Sequence, residues 1–273
     1  MCAKQLKDVT DVDALISYLK DKGESHTYYY HYTSWDSFLK IYENSSFLLT
    51  RGNSLNINDQ QEAFMKGAPP IWDKTYIGSF AYGYSENMAM WGLYGQPASD
   101  AIRIAIPKTE MLNWIHAIKE VYIWDGAPID SIHADVTLND IVYVSGEARS
   151  DNLLLSHQNK TLETVNVPAL NGVDTFPQMT GYIKNAAWRY ENEVRIRIEL
   201  PYVVDGNEKI MIKIPDSVLS SITVMEGPSF DNKSDDIYNL LHSQGRIQKS
   251  AFTGLLKYRS LCSLCVHGTF EKK

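Results

Sequence analysis

Two carboxylates one residue apart, Glu191 and Glu193, lie within the stretch Trp188 to Ile196, WRYENEVRI, and Arg195 and Arg197 follow them closely. Read as a strand, whose side chains alternate between its faces, the stretch puts Glu191, Glu193, Arg195 and Arg197 on one face. Val194, Ile196 and Ile198 fall on the other, which belongs to a core. The charged face has two readings. Carboxylates and guanidinium groups can pair across strands on a solvated sheet surface, or a carboxylate can meet a substrate there.

Other chemistry-bearing residues lie on or just after strand-like segments. His31, Tyr32 and Thr33 end the aromatic run YYYHYT, where a histidine either bonds within the strand or faces a ligand. Ser79 and Phe80 lie in TYIGSFA. Trp91 and Tyr94 offer flat rings that can stack on a heterocycle or fill the core beneath a helix. Arg51, just after a short strand, can reach an anion through charge-assisted hydrogen bonds or stand as an exposed loop residue.

Several other chemistries find no support. Asn58, Asp59 and Glu62 supply too few oxygen ligands for a metal and read as a capped helix start. Cys262, Cys265 and His267 make half a zinc site with no second pair of cysteines, so no metal is expected. There is no glycine-rich phosphate loop, no HExxH and no GxSxG.

The positioning elements follow from capping and periodicity. Thr10 or Asp11 caps a helix with Val12, Leu15, Ile16 and Leu19 on one stripe, so residues 1–25 form an N-terminal helical extension. Ser34 caps a helix carrying Trp35, Phe38, Leu39 and Tyr42, and Ser85 one holding Met88, Trp91 and Leu93. Thr109 caps a helix with Met111, Leu112, Ile115 and Ile118. Strands are expected at 47–50, 75–81, 101–106, 121–124, 141–144 and 222–225. Residues 145–180, rich in Ser, Asn, Thr, Pro and Gly, read as a mobile loop or lid. A short helix is expected at 181–187. Asp205-Gly206 reads as a hairpin turn joining Arg195–Tyr202 to Ile210–Ile214, and a last helix covers 235–241. Helices and strands mix without regular alternation, which favours α+β over a doubly wound parallel sheet.

With 273 residues, 44% of them hydrophobic and 22% charged, the chain can bury a sizeable core. The net charge of -7 argues against a large sequence-independent grip on DNA. Three cysteines make no disulfide framework, no apolar run reaches membrane-spanning length, and Met1 to Leu19 has no signal core. A cytoplasmic protein without membrane partners is expected. No repeat or domain boundary is evident.

His31, Ser79-Phe80 and Glu191-Asn192-Glu193 occur in an order that resembles the ADP-ribosyltransferase family. There a first strand carries a His or Arg, a second a Ser or an aromatic, and a later one the catalytic Glu, often as Glu-x-Glu. The strand ending in HYT and running into SWDSFLKIYENSSFLL is similar to the opening of the DNA-modifying and poly-ADP-ribosylating branches. Through NDQQE, SFAYGYSENMAMWGLYG, WRYENEVRI and ITVMEGP the chain also resembles, over about 27–254, a bacterial family defined only as a domain of unknown function.

The resemblance implies a single α+β domain over 1–273, with a split, twisted sheet of the ADP-ribosyltransferase type and NAD as co-substrate. Glu193 would bond the ribose 2'-hydroxyl and stabilise positive charge as the nicotinamide bond breaks, while Glu191 orients the acceptor or takes its proton. His31, with Tyr32 and Thr33, would hold the adenosine ribose. Ser79, Phe80, Trp91 and Tyr94 would shape the nicotinamide pocket, and Arg51 would reach the pyrophosphate. The implied acceptor is a macromolecule, with single-stranded RNA or DNA slightly ahead of protein. The implied setting is a bacterial toxin or antiphage defence effector restrained by an antitoxin or inhibitor protein. Two alternatives stay open: a non-catalytic nucleotide- or protein-binding module of the same fold, and an NAD glycohydrolase.

Overall fold

The computed structural model describes residues 17, 23–52, 73–83, 85–123, 128–129, 134–144, 154–156, 162–164, 181–231 and 233–253. The chain divides into two compact units. Residues 1–30, 41–83 and 106–221 contribute to the first, and 31–40, 84–105 and 222–273 to the second. Each unit is assembled from three separated stretches, so no single linker marks a boundary along the sequence. The strands are mostly antiparallel and are joined by several helices, an α+β architecture.

In the first unit the organising strand is β3 (Thr75–Ala81). Along one edge it pairs over its whole length with β12 (Glu193–Glu199), from Glu193↔Ala81 to Glu199↔Thr75. Its other partners are divided. Tyr76 and Ile77 pair with β2 (Ser46–Arg51), whereas Ala81 pairs with Tyr30 of β1 (Tyr28–Ser34). Further strands extend the sheet from β2 to β13 (Lys209–Lys213), β5 (Val121–Ile123) and β6 (Pro128–Ile129). Beyond β12 lies β7 (Asp135–Asp140).

Alternation along β3 and β12 builds the core. Phe80 and Val194, Gly78 and Ile196, and Tyr76 and Ile198 stand opposite one another on one face. The Phe80 ring stacks on Phe47 at 5.2 Å and meets Trp114 edge-on at 6.3 Å. Trp114 comes from α3 (Lys108–Ala117) and donates its indole N–H to the Lys213 carbonyl at 2.7 Å. Gly78 is required by this packing, because a Cβ there would lie 2.9 Å from the Phe47 ring.

A smaller sheet in the same unit runs β10 (Leu162–Thr164), β9 (Leu154–Ser156), β8 (Val142–Val144), β11 (Ile183–Asn185). Its one parallel pair, β8 with β11, sets Lys184 opposite Tyr143.

The second unit contains the antiparallel pair of β4 (Ala101–Pro107) and β14 (Thr223–Glu226), with β15 (Ile247–Lys249) parallel to β14. The start of α1 (Trp35–Glu43), α2 (Met88–Tyr94) and α4 (Asp236–Ser243) belong to it. Ser34 caps α1 as expected, its hydroxyl accepting from the Ser37 amide at 3.2 Å. The cap of α2 is Asn87 rather than Ser85, because the Asn87 side chain accepts from the Ala89 and Met90 amides. Pro107 precedes α3, and Thr109 lies inside that helix.

Three expectations near the site are corrected. Trp188 to Glu191 is not strand but the end of a 3-10 helix, Ala186–Glu191, and Asn192 turns the chain with φ 46° before β12 begins. Asparagine tolerates that left-handed geometry better than most residues. Of residues 181–187, expected as a short helix, 183–185 form the strand β11 and only 186–187 are helical, as the start of that 3-10 helix. Asp205-Gly206 is a turn, with Gly206 at φ 74°, but its flanking strands do not form a hairpin: β13 pairs with β2, and β12 with β3 and β7.

The span 145–180, read as a loop, contains β9 and β10. Its remaining residues lie outside the described ones, as do most of the 1–25 helical extension, Asn58, Asp59, Glu62 and the Cys262/Cys265/His267 stretch. Among the described residues no helix is long and apolar enough to cross a membrane.

Candidate active site around Glu193

Glu193 is the first residue of β12, and its side chain lies on the polar face of the β3–β12 pair with Arg195 and Arg197. That face is not solvated. Glu193, Arg195 and Arg197 are each no more than 3% exposed. Residues 181–184 help to cover it: the Gly181 carbonyl accepts from Arg195 Nη1 at 2.9 Å, and the Arg197 guanidinium lies 5.9 Å from the centre of the Tyr182 ring. Both faces of β12 are therefore buried, one in aromatic core and the other in a charge cluster.

Four donors surround the Glu193 carboxylate. Oε1 accepts from Ser79 Oγ at 2.5 Å and from Arg195 Nε at 2.6 Å. Oε2 accepts from Arg195 Nη2 and from Lys184 Nζ, both at 3.1 Å. Ser79 reaches Glu193 as a diagonal cross-strand neighbour, since Ser79 stands opposite Arg195. It is the exposed member of an otherwise buried strand. Burial alone raises the Glu193 pKa, but the Arg195 charge, the Lys184 charge and the hydrogen bonds from Arg195 and Ser79 outweigh it and hold the group at about 2.

Glu191 joins the cluster from a different element. It ends the 3-10 helix, so it does not share the strand face of Glu193, yet the two carboxylates converge on one ammonium. Lys184 Nζ lies 2.6 Å from Glu191 Oε2 and 3.1 Å from Glu193 Oε2, with all three side chains buried. Lys184 arrives from β11 of the smaller sheet. Nothing in its local sequence marks it, and sequence reasoning missed it. Its Nζ also sits 4.9 Å from the centre of the Trp188 ring.

The backbone entering β12 is held from three sides. Tyr143, beside Lys184 in the smaller sheet, accepts the Glu193 amide on its hydroxyl at 2.9 Å. Burial and the charges of Glu193 and Glu191 push that hydroxyl above its ordinary range, so it stays protonated. The Glu193 carbonyl accepts from Ile141, and the Asn192 carbonyl from Tyr82. Asp140, opposite Val194, binds His26 Nε2 through both carboxylate oxygens at 2.8 and 3.0 Å, and the His26 ring stacks on Tyr82 at 4.1 Å. This buried pair was also missed; its members lie 114 residues apart.

The remaining candidates divide between the units. In the first, Phe80 is a core residue, packed between Phe47 and Trp114 on the face opposite Glu193. Arg51 clasps the segment after β12. Its Nη2 donates to the Asn207 carbonyl at 2.6 Å and to that of Val204, and its side chain reaches the Tyr76 hydroxyl. That clasp holds the segment beside β2, the strand with which β13 pairs.

His31, Tyr32, Thr33, Trp91 and Tyr94 belong to the second unit. Within it Tyr32 and Trp91 are buried and meet edge-on at 4.8 Å. The Tyr32 hydroxyl accepts the Asn87 amide at 3.2 Å, and the Trp91 indole N–H donates to Glu86 at 3.1 Å. Glu86 also takes the Ser250 hydroxyl and the Ala251 amide, both at 2.6 Å. His31, Thr33 and Tyr94 are half-buried.

Among the described residues no group of three or more His, Cys, Asp or Glu side chains is arranged to hold a metal ion. No known protein family, curated protein or solved structure matches the chain.

Proposed function

We propose that the protein is an NAD-dependent ADP-ribosyltransferase acting on a macromolecule, with Glu193 as the carboxylate that serves the ribose and Glu191 as its companion. The observation carrying this reading is the 2.5 Å hydrogen bond from Ser79 to Glu193. Two residues 114 apart, on separate strands, meet where an exposed hydroxyl reaches a buried carboxylate. The division of β3 between β2 and β1 fits the split sheet of the ADP-ribosyltransferase type.

Cleavage of the bond from nicotinamide to ribose sends the bonding pair to nicotinamide and leaves positive charge on the sugar. An ionised carboxylate stabilises that charge. Glu193 is ionised throughout the neutral range. The acceptor nucleophile then bonds to the ribose carbon, and its proton passes to Glu191. Trp188 and Tyr190, rings 6.2 Å apart on the 3-10 helix that ends at Glu191, favour single-stranded nucleic acid as acceptor, because every base has a face to stack. The setting that goes with this activity is a bacterial toxin or antiphage effector restrained by an antitoxin or inhibitor protein.

Labelled NAD incubated with cell extract tests the reading, with Glu193→Gln as control. Wild type should label a macromolecule and release nicotinamide; identical blanks for both proteins remove the enzyme reading. Nicotinamide release without labelling favours a glycohydrolase. Expression of wild type should slow bacterial growth and Glu193→Ala should relieve it.

One observation favours a second reading, a non-catalytic nucleotide- or protein-binding module. The four donors around Glu193 already occupy its two oxygens, as they would in a purely structural ion cluster.

A further inference from the structure

The four donors on Glu193 bear on how a substrate reaches it. A carboxylate offers about four lone-pair positions. A ribose hydroxyl can therefore bind only if a present donor leaves. Arg195 is poorly suited to leave, because its Nε and Nη2 lie in one rigid plane and its Nη1 is tied to the Gly181 carbonyl. Ser79 makes the shortest contact, 2.5 Å.

Lys184 differs in each respect. It makes a single 3.1 Å contact with Glu193, at the end of a flexible stem, and holds a closer one, 2.6 Å, with Glu191. Leaving Glu193 does not strand its charge. The segment that carries Lys184 begins at Gly181, with φ 86°, and ends at Asn192, with φ 46°. A left-handed residue thus sits at each end of the stretch.

We propose that Lys184 is a latch on the site: its ammonium closes Glu193 to NAD while it bridges the two carboxylates, and opens it by retreating onto Glu191 alone. The inference rests on the reading of Glu193 as the carboxylate that serves NAD. An ordinary structural lysine would give the opposite sign in a binding experiment. Removing a structural cation weakens a site, whereas removing a latch raises the fraction of protein competent to bind and lowers the apparent Kd by the same factor.

The test compares full-length wild type with Lys184→Met and with Lys184→Met/Glu191→Gln, which leaves no lone buried carboxylate at position 191. Amide hydrogen exchange over residues 182–191 reports the latch, and calorimetric titration with NAD reports access. Both variants should exchange faster over this segment and bind NAD more tightly, by roughly tenfold in each readout.

Unchanged exchange overturns the proposal, as does faster exchange with unchanged or weaker NAD binding. If no protein binds NAD, the NAD reading fails, and exchange alone then decides whether Lys184 holds the segment closed. Should neither variant fold, wild-type crystals soaked with NAD decide: Lys184 on Glu191 alone supports the latch, and Lys184 still on Glu193 beside a bound ribose overturns it.

Discussion

Ser79 and Glu193 are joined across two paired strands, the Ser79 hydroxyl donating to Glu193 Oε1 at 2.5 Å. The serine is exposed and the carboxylate buried, so this bond links the surface to the charge cluster. Ser79→Ala removes one of four donors from an ion that keeps its arginine. A hydrogen bond to a charged group contributes about 2 kcal/mol, so urea denaturation should show a loss of that order. Nicotinamide release should fall about tenfold at saturating NAD, a loss of about 1.4 kcal/mol in the transition state. A loss of stability with full activity would make Ser79 purely structural.

Acid should weaken the protein through Glu193. Its folded pKa, about 2, lies below the ordinary value of 4.5. A depressed carboxylate stabilises the folded state above its unfolded pKa, and that contribution is lost as pH falls from about 4.5 toward 2. Denaturant midpoints from pH 6 to pH 2.5 should drop for wild type, and drop less for Glu193→Gln. The variant should also be less stable at pH 7, by roughly 3–5 kcal/mol, because Arg195 stays buried without its carboxylate while Lys184 loses Glu193 and keeps Glu191.

Arg195→Lys keeps the charge and loses the fork. Arginine supplies both oxygens of Glu193 and the Gly181 carbonyl at once, which a single ammonium cannot do. The expected outcome is a fall in kcat of at least about tenfold with little change in KM, since the carboxylate stays ionised but is no longer aimed. A rise in KM alone would point to a direct substrate contact.

Arg51 separates two accounts of one residue. If it binds pyrophosphate, Arg51→Ala raises KM for NAD. If its task is the clasp on Val204 and Asn207, the variant loses about 1–2 kcal/mol of stability and KM does not move. The second outcome is predicted, and parallel melting and initial-rate measurements distinguish them.

How much of this was legible in the sequence depended on whether the cause was local. β3 and the Ser34 cap were legible because alternation and capping act within a few residues. The carboxylate pair was visible too, but its geometry was not. WRYENEVRI alternates like a strand throughout, and only the φ of 46° at Asn192 assigns Glu191 to a 3-10 helix. The missing hairpin reflects distant partners, since Asp205-Gly206 favours a turn while β13 pairs with β2 and Arg51, 153 positions before Val204, binds the Val204 carbonyl. Lys184, on a three-residue strand of another sheet, carries no pattern that could have announced it. Each of the two units draws on three separated stretches of sequence, so no shift in composition along the chain marks them.

The central claim, that Glu193 stabilises charge on a ribose, is tested most directly by single-turnover release of nicotinamide from saturating NAD by wild type and Glu193→Gln, with NAD affinity measured alongside. A group acting mainly in the transition state should leave affinity within about threefold and slow release by at least about a hundredfold. Equal release rates for the two folded proteins would contradict the account.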